Sequence, residues 1–320
     1  MVTLGLALNY HGKVGYFKPF KEMLMNDSEK LVDQDAFLMK KALRLRCDEE
    51  RLSPFLYDVL RPMKMSAIVE AFELVKGDSE LMLVEGSRDI TSGFLQDVSG
   101  MAIAEALQAE IVLVSSATPS ALDRIALLVQ LMRSYKVVFK GVVLNMCDSP
   151  HPKAVLEDKG ITVLGVLPEA PDLKRFTVRE VADAMNAEIV VEDGLDKVVE
   201  DVMVGAMTPE TAIKYLRRVA RKALITGGDR SDIQLAALET DTSCLVLTGG
   251  LYPAKQVIAK AYEKGVPILL TQYDTLDASE MIDHLIARLD PDDAKKIEII
   301  RMLVKDNVDL DKVLGRVDID

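Results

Sequence analysis

Tryptophan is absent from the chain, and cysteine and histidine occur only three times each in 320 residues. Cys47, Cys147 and Cys244 form an odd, widely spaced set without CxxC spacing. That excludes a disulfide framework and a cysteine-built zinc site, and leaves buried reduced thiols as the reading. His11, His151 and His284 are dispersed. Cys147 and His151 are near in sequence, but Ser149-Pro150 between them reads as loop, so they are not taken as nucleophile and base. Positive charge is short: 39 Lys and Arg stand against 51 Asp and Glu, for a net charge of −12. A surface of that sign repels phosphate backbones and anionic headgroups, which excludes nucleic acid and membrane surfaces as partners. No apolar run approaches the roughly 18–20 residues that span a bilayer. No basic stretch precedes an apolar one at the N-terminus, so no signal peptide is read and a cytoplasmic location is expected. Two catalytic signatures are missing as well. G-x-x-x-x-G-K-[ST] does not occur, since the one Gly-Lys pair, Gly12-Lys13, precedes valine, and there is no G-x-S-x-G.

What is present is ordinary for a globular protein: 49% hydrophobic and 28% charged residues. The length exceeds what one core usually serves, so two domains are expected. Short apolar runs at 14–17, 81–84, 111–114, 137–144 and 161–167 read as strands covered on both faces, and a second group follows at 223–225, 244–247 and 267–270. Amphipathic segments at 120–134, 231–238 and 254–264 alternate with them. That spacing predicts an α/β fold with parallel sheets and right-handed crossovers. The boundary is expected within 186–210, giving a first domain over 1–190 and a second over 205–290. A charged helical tail over 291–320 is expected to pack on the second domain or a partner. Thr208-Pro209 reads as N-cap and first residue of a helix.

Ligands of open parallel sheets bind outside the carboxyl ends of the strands, so strand ends supply the candidates. In the first domain these are Lys18-Pro19, Glu85-Gly86, Ser115, Asn145 and Pro168. A strand-end carboxylate followed by glycine suits a magnesium ligand, and equally an N-cap or a surface acid. Lys18 suits an anionic substrate and Asn145 a purine edge, although spacing alone favours a solvated lysine and a turn asparagine. In the second domain, Thr226, Gly227, Gly228, Asp229 and Arg230 follow a strand, and Thr248, Gly249 and Gly250 repeat the pattern one unit later. Paired glycines ahead of a helix leave backbone amides open to an anion, with Arg230 as a bidentate donor and Asp229 capping the helix or holding the arginine.

In their order along the chain, Gly5-Leu6-Ala7-Leu8, Tyr16-Phe17-Lys18-Pro19, Val84-Glu85-Gly86, Gly141-Val142-Val143-Leu144-Asn145 and Leu164-Gly165-Val166-Leu167-Pro168 resemble the dethiobiotin-synthetase-like P-loop proteins. Thr226–Arg230 with Leu247-Thr248-Gly249-Gly250 resembles the DRTGG domain. The pairing is similar to the N-terminal regulatory half of long phosphate acetyltransferases and to free-standing archaeal and bacterial relatives. The resemblance implies ATP and Mg as cofactors, with Lys18 on substrate, Glu85 on magnesium, and Asn145 and Pro168 beside adenine. It also implies a further metal aspartate, Asp33 or Asp35, and a small-molecule or nucleotide ligand for the DRTGG domain, with a possible homo-oligomer formed through it. Against the family pattern, the segment from Val2 to Leu8 matches the helix that follows the phosphate loop. The first strand and that loop are expected upstream, in a truncated gene model or a degenerate relative, and ATP–Mg binding by the chain as written is expected to be very weak. The function expected is regulatory or ligand-sensing, the alternative being an ATP-dependent ligase of the dethiobiotin synthetase or cobyrinic acid amide synthase type.

Overall fold

The computed structural model describes residues 1–27, 30–287 and 289–315. The chain forms two compact units: Met1–Ala170 together with the chain from Asp290 onward, and Pro171–Leu289.

The first unit opens with helix α1 (Val2–Leu8) and strand β1 (Val14–Phe17). An antiparallel hairpin follows, β2 (Leu24–Asp27) with β3 (Lys30–Asp33), and then helices α2 (Gln34–Leu43), α3 (Glu49–Leu52) and α4 (Met65–Lys76). From there strand and helix alternate: β4 (Leu81–Val84), α5 (Gly100–Ala106), β5 (Glu110–Ser116), α6 (Pro119–Met132), β6 (Val138–Asn145), α7 (His151–Asp158) and β7 (Val163–Val166). β1 pairs with β4, and β5, β6 and β7 pair in that order, every pair parallel. Among the described residues, β4 and β5 do not pair with each other.

Periodicity explains the layers. In α6, Leu122, Ile125, Leu128, Val129 and Met132 form one apolar stripe and bury it against Ile111, Leu113, Val142 and Leu144. α4 does the same with Ile68 and Phe72 against Phe17, Met82 and Val84. The alternate residues Leu83, Val112, Val143 and Leu164 face the opposite way, toward α1.

The second unit contains α8 (Pro171–Lys174), β8 (Phe176–Thr177), α9 (Val178–Ala184), β9 (Glu188–Val191), β10 (Val198–Val199), β11 (Asp201–Val204), α10 (Pro209–Leu216), β12 (Lys222–Gly227), α11 (Ser231–Leu238), β13 (Thr242–Thr248), α12 (Lys255–Lys264), β14 (Ile268–Leu270) and α13 (Thr275–Ala287). Its sheet runs β11-β12-β13-β14-β9, parallel apart from β9. All seven residues of the central strand β13 are buried. Ala223, Ile225, Cys244 and Val246 face α9 and α13 on one side, while Leu224, Leu245 and Leu247 face α10, α11 and α12 on the other. As expected, Thr208 is the N-cap of α10 with Pro209 at its start.

Three expectations need correction. The division falls at residue 170 rather than near 190–205, because β9 finds its hydrogen-bond partner in β14 and α9 packs beside α13. The helices α14 (Ala294–Asn307) and α15 (Leu310–Leu314) return to the first unit, where Val304, Val308 and Val313 join Val2 and Leu6 of α1. Gly5 permits that contact, since a Cβ there would lie 2.3 Å from Val304. Finally, the thiols are free, but Cys47 is only partly buried; Cys147 donates to Ser149 O at 3.1 Å, and burial pushes Cys244 up to about 12. The hairpin β2–β3, four residues a side, has no apolar alternation long enough to be read from sequence.

Candidate functional site

β1 ends at Phe17, and the next residue is a lysine whose side chain is only 2% exposed. Burying an ammonium is costly unless it is paired, and Lys18 is paired several times over. Its Nζ lies 2.5 Å from Asp35 Oδ2, 3.2 Å from Asp33 Oδ2 and 3.9 Å from Glu22 Oε2. Burial works against the charge, but Asp35 and Asp33 outweigh it, so the Lys18 pKa sits above its ordinary value.

The hairpin positions these acids. Asp33 ends β3 and is the N-cap of α2: Oδ1 accepts from the N–H groups of Asp35 and Ala36, and Oδ2 accepts from Glu22 N–H at 2.9 Å. Asp33 is fully buried and its oxygens are engaged, whereas the Asp35 side chain is 34% exposed. Across the rim, Tyr16 Oη donates to Glu85 Oε2 at 2.9 Å. Burial first, then the charge of Asp35, raise the Glu85 carboxyl; the amino group of Met1, Lys18 and the Tyr16 bond oppose them, and the balance remains upward. Tyr16, wholly buried beside these carboxylates, is held well above its ordinary value.

Glu85, Ser115 and Asn145 line a cavity of about 820 Å³ between β4 and β5. Asn145 Oδ1 is buried there without a hydrogen-bond partner. Pro168 follows β7 and is not part of the lining. Lys18, Asp33, Asp35 and Glu85 therefore come together, with Ser115 and Asn145 beside them and Pro168 apart. Sequence reasoning missed Tyr16, because an aromatic inside a strand reads as core.

The cluster carries more carboxylates than cations, and hard oxygen donors suit magnesium, which needs one or two carboxylates and keeps its waters. Among the described residues, no three of His, Cys, Asp or Glu converge as a ready metal cage. Glu85 and Asp35 fit a cation held that way, while Asp33 is committed to its cap.

In the second unit the paired glycines are packing devices. A Cβ at Gly228 would lie 1.7 Å from Leu251 O, so only glycine lets the two strand-end turns meet. Gly249 and Gly250 both have positive φ, and their amides donate to Tyr273 O and Thr271 O, each at 2.9 Å. Gly228 N–H points to Thr248 O at 3.4 Å. Thr226 donates to Gly205 O, and Thr248 Oγ1 shares a hydrogen bond with Thr275 Oγ1. Gln234 of α11, fully buried, donates through Nε2 to Gly227 O and Gly228 O, while its Oε1 has no partner. Sequence reasoning passed over it as one polar residue on an apolar helix face. Neither role expected of Asp229 is taken: Arg230 is the N-cap of α11, and Asp232 holds the guanidinium through Nε and Nη2. That pairing keeps Asp232 below the ordinary carboxylate range. Nη2 also donates to Met207 O, and Nη1 takes part in none of these bonds.

Residues 1–177 match the AAA domain family and residues 180–285 the DRTGG domain family. A phosphate acetyltransferase of Nitrosomonas europaea is 25% identical over 96% of this chain and 48% of its own length. Another, of Nitratidesulfovibrio vulgaris, is 31% identical over 47% of this chain and 23% of its own. The chain thus spans half or less of these relatives. A solved structure of the CBS and DRTGG domains of the regulatory region of Clostridium perfringens pyrophosphatase, complexed with diadenosine tetraphosphate, covers 61% of this chain and 86% of its own at 19% identity, with a TM-score of 0.32. The chain belongs to the AAA domain family in its dethiobiotin-synthetase-like form, and it carries a DRTGG domain behind that one.

Proposed function

We propose that this chain is a ligand-sensing regulatory protein, in which the rim of the first unit holds a magnesium ion and the DRTGG unit takes a small nucleotide-type ligand. The observation that carries the reading is the charge imbalance around Lys18: one buried ammonium answers Asp33 and Asp35, with Glu85 opposite and raised by burial and Asp35. A divalent cation between Glu85 and Asp35 relieves that excess. Lys18 keeps Asp35 oriented, and Tyr16 fixes the Glu85 carboxylate from its other side. When bound, magnesium supplies a positive centre for the phosphates of ATP. In the second unit, the unengaged Nη1 edge of Arg230 is the donor for an anionic group of the ligand. Homo-oligomerisation through that unit belongs to the same reading, and light scattering tests it.

Thermal unfolding with magnesium chloride and a panel of adenine nucleotides, diadenosine tetraphosphate included, tests the division of labour. Magnesium raises Tm in the wild type and not in Glu85→Gln, while a nucleotide raises Tm in the wild type and not in Arg230→Ala. Shifts left intact by both substitutions contradict it.

A further inference from the structure

In the second unit, the backbone brings three charged side chains together at the amino ends of β11 and β12, away from the rim of paired glycines. β8 and β10 pair antiparallel with Phe176 opposite Val199, so the next step of that ladder sets Arg175 opposite Glu200. β11 and β12 pair parallel from Asp201 and Lys222, and just ahead of them Glu200 N–H donates to Arg221 O at 2.8 Å. Glu200, the one residue between β10 and β11, thus meets an arginine on each side. Its Oε1 lies 2.7 Å from Arg175 Nε and 2.6 Å from Arg221 Nη2.

These contacts are close but not aligned. Arg175 Nε and Glu200 Oε1 are both buried, and neither has a hydrogen-bond partner. A buried guanidinium N–H without an aligned acceptor is costly, and it calls for an oxygen that the protein itself does not supply. Asp172 already holds the same guanidinium from another side, accepting from Nη1. A recess of about 140 Å³, lined by Pro171, Lys174, Arg175 and Glu200, opens at this point. At about 30 Å³ per water it has room for roughly four or five, which suits a tetrahedral oxyanion and is too small for a nucleoside.

The surrounding charge selects an anion. Residues 214–222 hold Lys214, Arg217, Arg218, Arg221 and Lys222 and no acid, in a chain whose net charge is −12. The carbonyls past the end of α10 do not account for all of these cations. Lys222, fully buried, meets them alone, donating to Val219 O at 3.0 Å and to Asp241 O at 2.7 Å. Nor does the turn select an arginine at 221, since its φ of 44° lies in the left-handed region that glycine takes at least cost. The Arg221 side chain is 52% exposed. Its planar fork, like that of Arg175, matches two oxygens of a phosphate group.

We propose that this recess binds a phosphate group, with Arg175 and Arg221 as donors and Glu200 as the carboxylate that holds the two guanidinium groups together and competes with the anion. The site lies at the other end of β12 from Arg230, and it depends neither on that residue nor on the acidic rim of the first unit. Calorimetric titration with inorganic phosphate, in chloride at constant ionic strength, tests it on the full chain. The wild type shows a saturable site that Arg221→Gln weakens about tenfold or more. Glu200→Gln removes the competing charge and tightens binding, which a glutamate that merely braces the fold does not do. Should Arg221→Gln fail to fold, Arg221→Lys keeps the charge without the fork and still weakens binding. Glycerol 2-phosphate in a parallel titration separates the sources: binding of both compounds marks a phosphoryl group on a larger molecule as a ligand, and binding of inorganic phosphate alone marks the free ion, either of which supports the site. No saturable binding by the wild type at millimolar phosphate, weaker binding by Glu200→Gln, or binding that survives Arg221→Gln and is lost in Arg230→Ala, overturns the proposal.

Discussion

At Glu85 the electrostatics favour the protonated carboxyl in the folded chain more than in the unfolded one. The folded state therefore binds more protons in the window just above the ordinary value of 4.5, and stability falls as pH rises through that window. Glu85→Gln removes the effect while leaving an oxygen to accept from Tyr16. Its Tm lies above wild type at pH 7, and the gain shrinks as pH is lowered through that window. A Tm below wild type at pH 7, with a difference independent of pH, contradicts the assignment. Lys18 and Glu85 were legible as residues at the carboxyl ends of apolar runs. Asp33 and Asp35 were not separable, because the choice depends on which one caps α2, and the hairpin that presents them has no strong pattern. Tyr16 and Gln234 were invisible for a different reason. Their polar atoms matter only through partners 69 residues away in one case and in a neighbouring turn in the other.

Between elements, two glycines allow α14 and the chain after it to approach closely in the first unit. Gly5 lets α14 lie on α1, and a Cβ at Gly165 would meet Asn307 O at 2.5 Å, where the chain after α14 bridges to β7. Backbone cannot move aside as a side-chain tip does. Gly165→Ala therefore destabilises by about 1–3 kcal/mol, and each kcal/mol lowers Tm by roughly 2–4 °C at this size. Gly86→Ala, where an added Cβ meets nothing within 4 Å, stays within about 0.5 kcal/mol. Equal effects in a denaturant titration of the two variants contradict this packing account. The strands themselves were legible: the runs at 14–17 and 81–84 became β1 and β4 residue for residue, since strands covered on both faces are continuously apolar. Pairs as short as β2–β3 and β8–β10 carry no such signal.

Over the whole chain, local pattern gave the α/β class but not the division into units. β9 and α14 each belong where a long-range partner lies, β14 in one case and α1 in the other, and nothing local announces either. Within the expected boundary region of 186–210 lie β10 and β11. The two families matched in series agree with a chain built from two modules, each with its candidate residues at the carboxyl rim of a parallel sheet. The central claim is that the rim around Lys18 holds a divalent cation through Glu85 and Asp35. Its most direct test is titration of the chain with Mn²⁺, read by loss of the free-ion paramagnetic resonance signal. One saturable site, weakened at least tenfold by Glu85→Gln and by Asp35→Asn, is the predicted result; no saturable binding, or equal binding by all three proteins, contradicts it.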